Sequence, residues 1–559
     1  MDLVQRIETA LGKSPVDLLL KNGNLVNVFD GSVHPASVAV HQGVVVGLGE
    51  YDATHTIDLE GRFITPGFID GHLHLESSML AIPEFARNVV PLGTTAVVAD
   101  PHEIANVLGL TGIRYILDSS ADLPLRVFVM FPSCVPATPF ETSGAELSAA
   151  DMVTLKDHER VLGLAEMMNF PGVVFCDPGV LAKIEAFKDR VKDGHAPGLT
   201  GKELNAYVIA GIGSDHECTT LEEAREKLRL GMRIMIREGS AAKNLDALLP
   251  LVNENNSRNC FFVTDDMDPR DIEENGHIGR LVRRAVALGT DPVRAVQMAT
   301  INPATYFGLK GLGAVAPGYL ADMLVLDDLK EFKVDRVYQA GRLVAERGKM
   351  AMEVSGRKSA SLPVSMNVAW EKVGDLSIRA DGPKANVIQV VPGQIVTRSV
   401  VMDTPVRDGM VVADPQRDIL KIAVIERHRG TGNHAVGLIS GFGLKRGAIC
   451  CTVAHDSHNI IVVGADDADM MTAAREAARM GGGMAVADGG NVVARLPLPI
   501  AGLMSDHPLE EVSRGLEEVV NAARRLGCEL ENPFATLSFM ALTPIPELKL
   551  TDQGLFDSV

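Results

Sequence analysis

Between residues 94 and 266 the chain returns repeatedly to short apolar runs: "TTAVVAD", "RVFVMF", "VLGLAEM", "YVIAGIG", "MRIMIRE" and "CFFVTDD". Apolar runs of this length without polar alternation read as strands buried on both faces, and intervening stretches such as "TLEEAREKLRLG" carry the helical period. Alternation of this kind over roughly 250 residues predicts an α/β fold, a parallel (β/α)8 barrel with its helices outside and its functional groups at the C-terminal strand ends.

The strand ends are where the chemistry-bearing residues fall. "FITPGFIDGHLHLESS", residues 63 to 78, is an apolar segment interrupted by Pro66 and Gly67 that finishes in two histidines. His72 and His74 are two apart, so on a strand both imidazoles point to one face and can grip one ion together. Asp100 and His102 follow "TTAVVA", Glu166 ends "VLGLAE", His195 lies in "DGHAPG", His216 in "GSDHE", and Asp265 closes "FFVTD". Taken singly, each has a structural explanation, such as a helix cap for Glu166 or Asp265. Their joint arrival at one predicted barrel mouth is what points to a site.

The flanks differ in style. Residues 17 to 62 contain β-formers punctuated by Asn-Gly, Gln-Gly and Glu-Gly turn signals, and "GYLADMLVLDDL" and "KVDRVYQAGRLVAERG" repeat that pattern much later. Both segments are expected to complete one small β-sandwich. Beyond residue 365, strands such as "RDILKIAVIERH" and "HNIIVVGAD" and helices in "DMMTAAREAARM" and "PLEEVSRGLEEVVNAARRLG" predict a further α/β domain. The expected division is 1–62 for the first part of the β-sandwich, 63–314 for the barrel, 315–364 for its completion, and 365–559 for the C-terminal domain.

Bulk properties narrow the partners. A net charge of −19 disfavours nucleic acid or an anionic membrane, both of which need clustered Lys and Arg. A small-molecule substrate fits better. Seven scattered cysteines do not form a disulfide framework, and no C-x-x-C pair suggests a thiolate zinc site. The N-terminal residues lack the stages of a secretory signal, and no apolar run approaches the ~20 residues of a membrane helix. A cytoplasmic protein, assembled as a homo-oligomer with a dimer as the guess, is expected.

Several blocks resemble the bacterial adenine deaminases of the amidohydrolase superfamily: "PGFIDGHLHLESS", "DPHEIANV", "GLAEMMNFPGV", "DGHAPGLTGKELNAYVIAGIGSDHE", "IREGSAAKNL" and "TDD". The C-terminal "IERHRGTG", "GLISGFGLKRGAI", "VAHDSHNIIVVG", "LPLPIAGLMS" and "LKLTDQGLFD" are similar to that family's own last domain. The resemblance implies two divalent metal ions, with His72 and His74 on one, His195 and His216 on the other, and Glu166 bridging them. Many superfamily relatives use a carboxylated lysine as the bridge, but "GLAEMM" offers none. Asp265 would complete the first ion's shell and face the bridging hydroxide, with Asp266 one residue further out.

Two dications, offset by Glu166, Asp265 and hydroxide, leave a net positive site, and such a site lowers the pKa of bound water from 15.7 to about 7. The implied reaction is hydrolysis of adenine to hypoxanthine and ammonia, with Asp265 taking the nucleophile's proton and passing it to the leaving amine. Glu217, Asp100 and His102 would protonate or orient the ring nitrogens. Imidazole and carboxylate ligands suit manganese, iron(II) or zinc, and the resemblance leans to the first two. Two alternatives stay open at this point, another amidohydrolase opening a cyclic amide and a non-catalytic scaffold of the same fold; a zinc base deaminase acting on nucleic acid is set aside because the chain has no P-C-x-x-C. "HDSHN" (His455, Asp456, His458, Asn459) has two readings, closing over the pocket or holding an interface.

Overall fold

Eight strands run parallel to their neighbours in the middle of the chain: Phe68–Leu73, Thr94–Ala99, Arg126–Phe131, Val161–Met167, Val191–Gly194, Ser214–Asp215, Arg233–Arg237 and Cys260–Val263. The structure is a computed structural model that describes residues 3–357 and 361–557. The first five strands form one ladder and the last three another. Two seams join the ladders. At one, Gly213 N–H donates to Lys192 O at 2.9 Å; at the other, Asp265 N–H donates to His72 O at 3.0 Å and His74 N–H to Asp265 O at 3.3 Å. The ring is thereby closed, with helices such as Leu221–Arg229 and Gly279–Ala287 following individual strands.

The barrel interior is a packed core. Ile69, Ala96, Val98, Met130, Ala165, Met235, Phe261 and Val263 fill it, all of them buried. Two glycines are required by close approach: a Cβ on Gly71 would lie 2.5 Å from a ring carbon of Phe261, and one on Gly163 would lie 2.0 Å from the backbone oxygen of Val191.

Two local readings of the sequence are corrected. "YVIAGIG", read as a strand, is the end of the helix Gly201–Ile209 and the turn after it. Its β-branched look misleads because one face only is buried: Leu204 and Tyr207 pack inward while Ile209 is 88% exposed. The fifth barrel strand is instead Val191–Gly194, which escapes an apolar reading because Lys192 and Asp193 occupy it. Both are buried with partners, Lys192 Nζ donating to Phe187 O at 3.2 Å and Asp193 Oδ1 accepting from Tyr306 at 2.8 Å. The Asn22-Gly23 pair is no hairpin turn; it sits inside the strand Val16–Val26, where the register slips as a β-bulge and Asn22 takes a φ of 57°. Finally, Pro66 and Gly67 split the first apolar segment, so that Phe63–Pro66 pairs outward with Met323–Leu326 and only Phe68–Leu73 enters the barrel.

Strands from both flanks join in a nine-stranded sheet in which Val16–Val26, Val33–His41 and Val44–Leu48 reach Met323–Leu326 and Val334–Gln339 through Phe63–Pro66. A bridge between Val44 and Leu320 brings its far edge back, and Leu18, Leu20, Val38, Val40, Ile64, Met323, Val325 and Tyr338 form the core inside. This is the small β-sandwich expected of the two flanks. The C-terminal part is built on an eight-stranded sheet, mostly antiparallel, centred on His434–Ser440, Leu420–Ile425, Ile460–Gly464 and Ala448–Cys451. The helices Asp467–Arg479 and Leu509–Arg525 bury their apolar faces on it.

Gly163 offers a direct test of barrel packing. Gly163→Ala forces a methyl group into a backbone oxygen that cannot rotate away, at a cost of about 3 kcal/mol. The expected outcome is a thermal midpoint lower by at least about 5 °C in scanning calorimetry. An unchanged midpoint would mean that the neighbouring strands are not packed as described.

Candidate metal centre

Six strand ends deliver their side chains to one buried spot. Glu166, near the end of Val161–Met167, lies at its middle: Oε2 is 2.7 Å from His195 Nδ1 and 3.2 Å from His216 Nε2, and Oε1 is 3.4 Å from His74 Nε2. Opposite it, Asp265 Oδ1 is 3.1 Å from His74 Nε2 and 3.4 Å from His72 Nε2. The His72 and His216 rings stack with centroids 4.3 Å apart. Of these groups, His195 alone is less than fully buried.

Backbone geometry aims them. Asp265 has a φ of 58°, a left-handed conformation that Asp tolerates better than most residues, and both of its backbone groups are bonded to the His72–His74 segment. Asp70 reinforces the clamp from below, with Oδ1 accepting the N–H groups of His72 at 3.3 Å and Thr264 at 3.2 Å. His74 Nδ1 lies 3.0 Å from the Asp100 carbonyl, to which it donates, so the Nε2 lone pair faces the cluster. The loops of His195 and His216 share a buried cation: Lys227 Nζ reaches Ala196 O at 2.6 Å and Asp215 Oδ2 at 2.8 Å, and Ala196 N–H donates to Asp215 Oδ1 at 2.9 Å.

The donor set fits divalent cations. His72 Nε2 is buried without a hydrogen-bond partner among the described residues, although it points at Asp265 and Glu166. Ligand atoms converge in three overlapping groups: His74 with Asp100, His102 and Glu166; His72 with His216 and Asp265; and Glu166 with His195 and His216. The first of these brings Asp100 and His102 closer to the ligand cluster than a ring-orienting role requires, with His102 Nδ1 3.5 Å from Glu166 Oε1 and 3.1 Å from Asp100 Oδ2.

Charge in the cluster is finely opposed. Burial works against the Glu166 carboxylate, yet the imidazoles of His216 and His195 hold it well below the usual range. Burial likewise opposes Asp265, and Arg237 together with His72 and His74 outweighs it. His216, which burial alone would push down, is raised to about 9 by Glu166.

Arg237 is the functional residue that the sequence reading missed. It ends the seventh barrel strand, with Nη1 2.9 Å from Asp265 Oδ2 and Nη2 3.0 Å from Glu217 Oε2. A charged residue at the end of "MRIMIR" was the available signal, since an arginine inside a barrel mouth needs an anionic partner. The same contact bears on Glu217: with the guanidinium forked onto it, its carboxyl is held below the usual range against its burial, which favours orienting a substrate over donating a proton. Glu103 was also passed over, and Asp266, read as the outer of the two aspartates, accepts from Ser77 Oγ at 2.5 Å.

An inner pocket of about 60 Å³ borders the cluster, lined on the barrel side by His74, His102, Glu166, His195, His216 and Asp265 and on the other side by Ile395, His455, Asp456, Phe539, Leu542 and Ile545 from the C-terminal part. It shares Glu217, Arg237, His455 and Phe539 with a cleft of about 2000 Å³ that runs between the two parts. Among the described residues no helix is long and apolar enough to cross a membrane.

Comparison with known proteins gives these groups a family. Residues 63–344 match the amidohydrolase family and residues 394–559 the adenine deaminase C-terminal domain. The chain is 52% identical to an adenine deaminase of Dehalococcoides mccartyi, over 100% of this chain and 98% of that protein. It is 52% identical to one from Desulfatibacillum aliphaticivorans, over 99% and 97%. One from Methanothrix thermoacetophila is 51% identical, over 100% and 98%. With both its barrel and its last domain matched, and likeness at this level running end to end, the chain belongs to the adenine deaminase family of amidohydrolases.

Proposed function

We propose that this chain hydrolyses adenine to hypoxanthine and ammonia, as an enzyme of purine salvage, at a centre of two divalent metal ions. The observation that carries the reading is the convergence of His72, His74, His195 and His216 with Glu166 and Asp265 at one barrel mouth, in a chain that matches proteins named adenine deaminase over its whole length. A cyclic-amide hydrolase is the poorer account, because it gives no reason for the adenine deaminase C-terminal domain. A scaffold that had lost its metals would lack ligands, and here every expected imidazole and carboxylate is present.

His72, His74, Glu166, His195, His216 and Asp265 would hold the ions, with Asp100 and His102 within reach of the same cluster. When bound, two such ions supply a Lewis acid and bring a water's pKa down toward neutrality. The ligand chemistry, all nitrogen and oxygen, supports manganese or iron(II), and zinc is chemically allowed.

The chain's own residues do the rest. In the net reaction a water oxygen bonds to C6, one of its protons passes to ring N1 and the other to the exocyclic nitrogen, the bond from C6 to that nitrogen breaks, and ammonia leaves. Asp265 is the proton carrier. Its Oδ2 is anchored by Arg237, which leaves Oδ1 to take a proton from the water and return it to the departing amine. Glu217, fixed by the same guanidinium, orients the ring. Burial of the cluster excludes bulk water and strengthens each of these interactions. The seven unpaired cysteines are what a reducing cytoplasm maintains, which supports that location.

Three outcomes test this. Metal-replete protein given adenine should release ammonia and hypoxanthine in equal amounts, with adenosine, cytosine and dihydroorotate as controls; no turnover of adenine would end the proposal. Asp265→Asn should retain much of the metal but lose at least about 100-fold in kcat, as expected for a lost proton carrier, whereas Glu166→Ala should empty or scramble the site. Equal metal loss in both variants would refute the division of roles.

The third concerns pH. A ligand imidazole must be neutral, and His216, with its pKa raised to about 9, is protonated in the metal-free protein at pH 7. Metal binding therefore expels a proton. Apparent Mn²⁺ affinity should strengthen about tenfold per pH unit for each proton displaced, rising up to about pH 9 and weakening in acid. Calorimetry in buffers of different ionisation enthalpy counts the protons released, and a pH-independent affinity would contradict the charge state described.

A further inference from the structure

The inner pocket is closed on one side by a loop of the C-terminal sheet, residues 452–459, and that loop is held rigidly. His455 N–H donates to Ser538 O at 3.1 Å and His458 N–H to Ala454 O at 2.7 Å, while Asn459 Nδ2 crosses to the barrel side to reach Thr142 O at 2.8 Å. Its two histidines converge on Glu103: His455 Nδ1 lies 2.7 Å from Glu103 Oε1, and His458 Nε2 lies against Oε2. Glu103, His455 and His458 are one of the groups whose ligand atoms converge, and His455 is hydrogen-bonded to Glu103. Ala454 N–H donates to His458 Nδ1 at 3.2 Å, so in the neutral ring the proton is on Nε2, facing Glu103.

Asp456 sits between these histidines and is left over. It is 3% exposed, and its Oδ1 is 3.9 Å from both His102 Nε2 and His455 Nδ1, beyond hydrogen-bond reach. Its Oδ2 is buried with no hydrogen-bond partner among the described residues. The nearby Glu141, whose Oε1 accepts from Thr138 and whose own Oε2 is likewise buried without a partner, makes no hydrogen bond to it. A buried carboxylate oxygen without a donor is costly and rare, and this one borders the cavity that holds the ligand cluster.

We propose that Asp456 is a substrate-binding residue supplied by the C-terminal part: its Oδ2 accepts a hydrogen bond from the five-membered-ring N–H of the free purine base. The inference rests on the adenine reading above. The reacting carbon belongs at the candidate ligand cluster, and Asp456 lines the same pocket from its C-terminal wall, 3.9 Å beyond His102 Nε2, so it is assigned to the end of the base remote from the departing amine. Beside it, the ring of Phe539 lies parallel to that of His455, 4.8 Å apart and at 11°, and forms a flat wall suited to a planar base. In a nucleoside the corresponding nitrogen carries the sugar and no hydrogen. Asp456 would then be left unpaired beside it, so the residue selects the base over the nucleoside.

Hypoxanthine and 9-methylhypoxanthine, which are not deaminated, separate binding from turnover. With metal-replete wild-type protein in calorimetry, hypoxanthine should bind at least about tenfold more tightly than the methylated base, the size of one hydrogen bond to a charged group. In Asp456→Ala hypoxanthine should lose about 10- to 100-fold while 9-methylhypoxanthine changes little, so the ratio collapses toward one. Asp456→Asn, which keeps an acceptor oxygen, should retain part of the ratio. Metal content equal to wild type verifies that the variants are intact. Equal binding of the two purines by wild-type protein, or an unchanged ratio in a metal-loaded Asp456→Ala, would overturn the proposal. Retained adenine turnover alongside either result would remove Asp456 alone, whereas absent turnover in the wild type would remove the deaminase reading itself.

Discussion

The seam between the last barrel strand and the first is the contact on which the mouth of this protein depends. Asp70 and Thr264, 194 positions apart in the chain, meet there through the Thr264 hydroxyl and amide, while Asp265 exchanges backbone hydrogen bonds with His72 and His74. Closing a barrel makes its ends neighbours, so a histidine pair from the first strand and an aspartate from the eighth meet as one group of candidate ligands. Without closure those groups would sit at opposite edges of an open sheet. The cost of burying Asp70, whose carboxyl burial pushes up to about 7, is offset by its hydrogen bonds from Thr264 and His72.

That seam also explains how much was legible in the sequence. Apolar runs such as Thr94–Ala99 and Cys260–Val263 announce buried strands because nothing but packing specifies them. The candidate ligands were legible for a related reason: ionisable side chains recur at the ends of successive apolar runs, and separate helix caps do not account for that recurrence. Val191–Gly194 was not legible, because two charged residues interrupt it: Lys192 is satisfied by nearby backbone oxygens, and Asp193 by Tyr306, which cannot be seen from residue 193. The helix Gly201–Ile209 failed for a different reason: Val208 and Ile209 look strand-like, but the segment is held as a helix by the burial of Leu204 and Tyr207. Arg237 belongs with the former group, since its meaning comes from Glu217 and Asp265, neither of which is adjacent to it.

The electrostatics of the cluster favour cations over an apolar or purely hydrogen-bonded function. Asp100, Glu166, Glu217 and Asp265 are buried together, and Arg237 is the cation placed among them. One guanidinium cannot neutralise four carboxylates, and the remaining compensation falls to histidines, of which His216 is raised by Glu166 while His72 is pushed down by burial and by His216. Such an arrangement is poor as a structural core. It becomes economical if ions bind, because the imidazoles then turn neutral and the carboxylates find charge of higher density than any side chain offers.

The C-terminal part completes this arrangement and is no passive appendage. Glu103 lies on the barrel helix that begins at His102, so the two residues are locked in orientation, yet Glu103 faces imidazoles that come from the other part of the chain. Burial alone would push its carboxyl up, and His455 and His458 instead hold it well below the usual range. The barrel on its own would leave that carboxylate with His102, 3.3 Å away, as its neighbouring imidazole, and without the two from the C-terminal part. The position of His102 at the ligand cluster is thus coupled, through one helical turn, to the seating of a loop more than three hundred residues away, at a separation of 352. A pocket made from both parts needs such a link, because its two walls can shape one small base only if their relative position is fixed to within a fraction of an ångström.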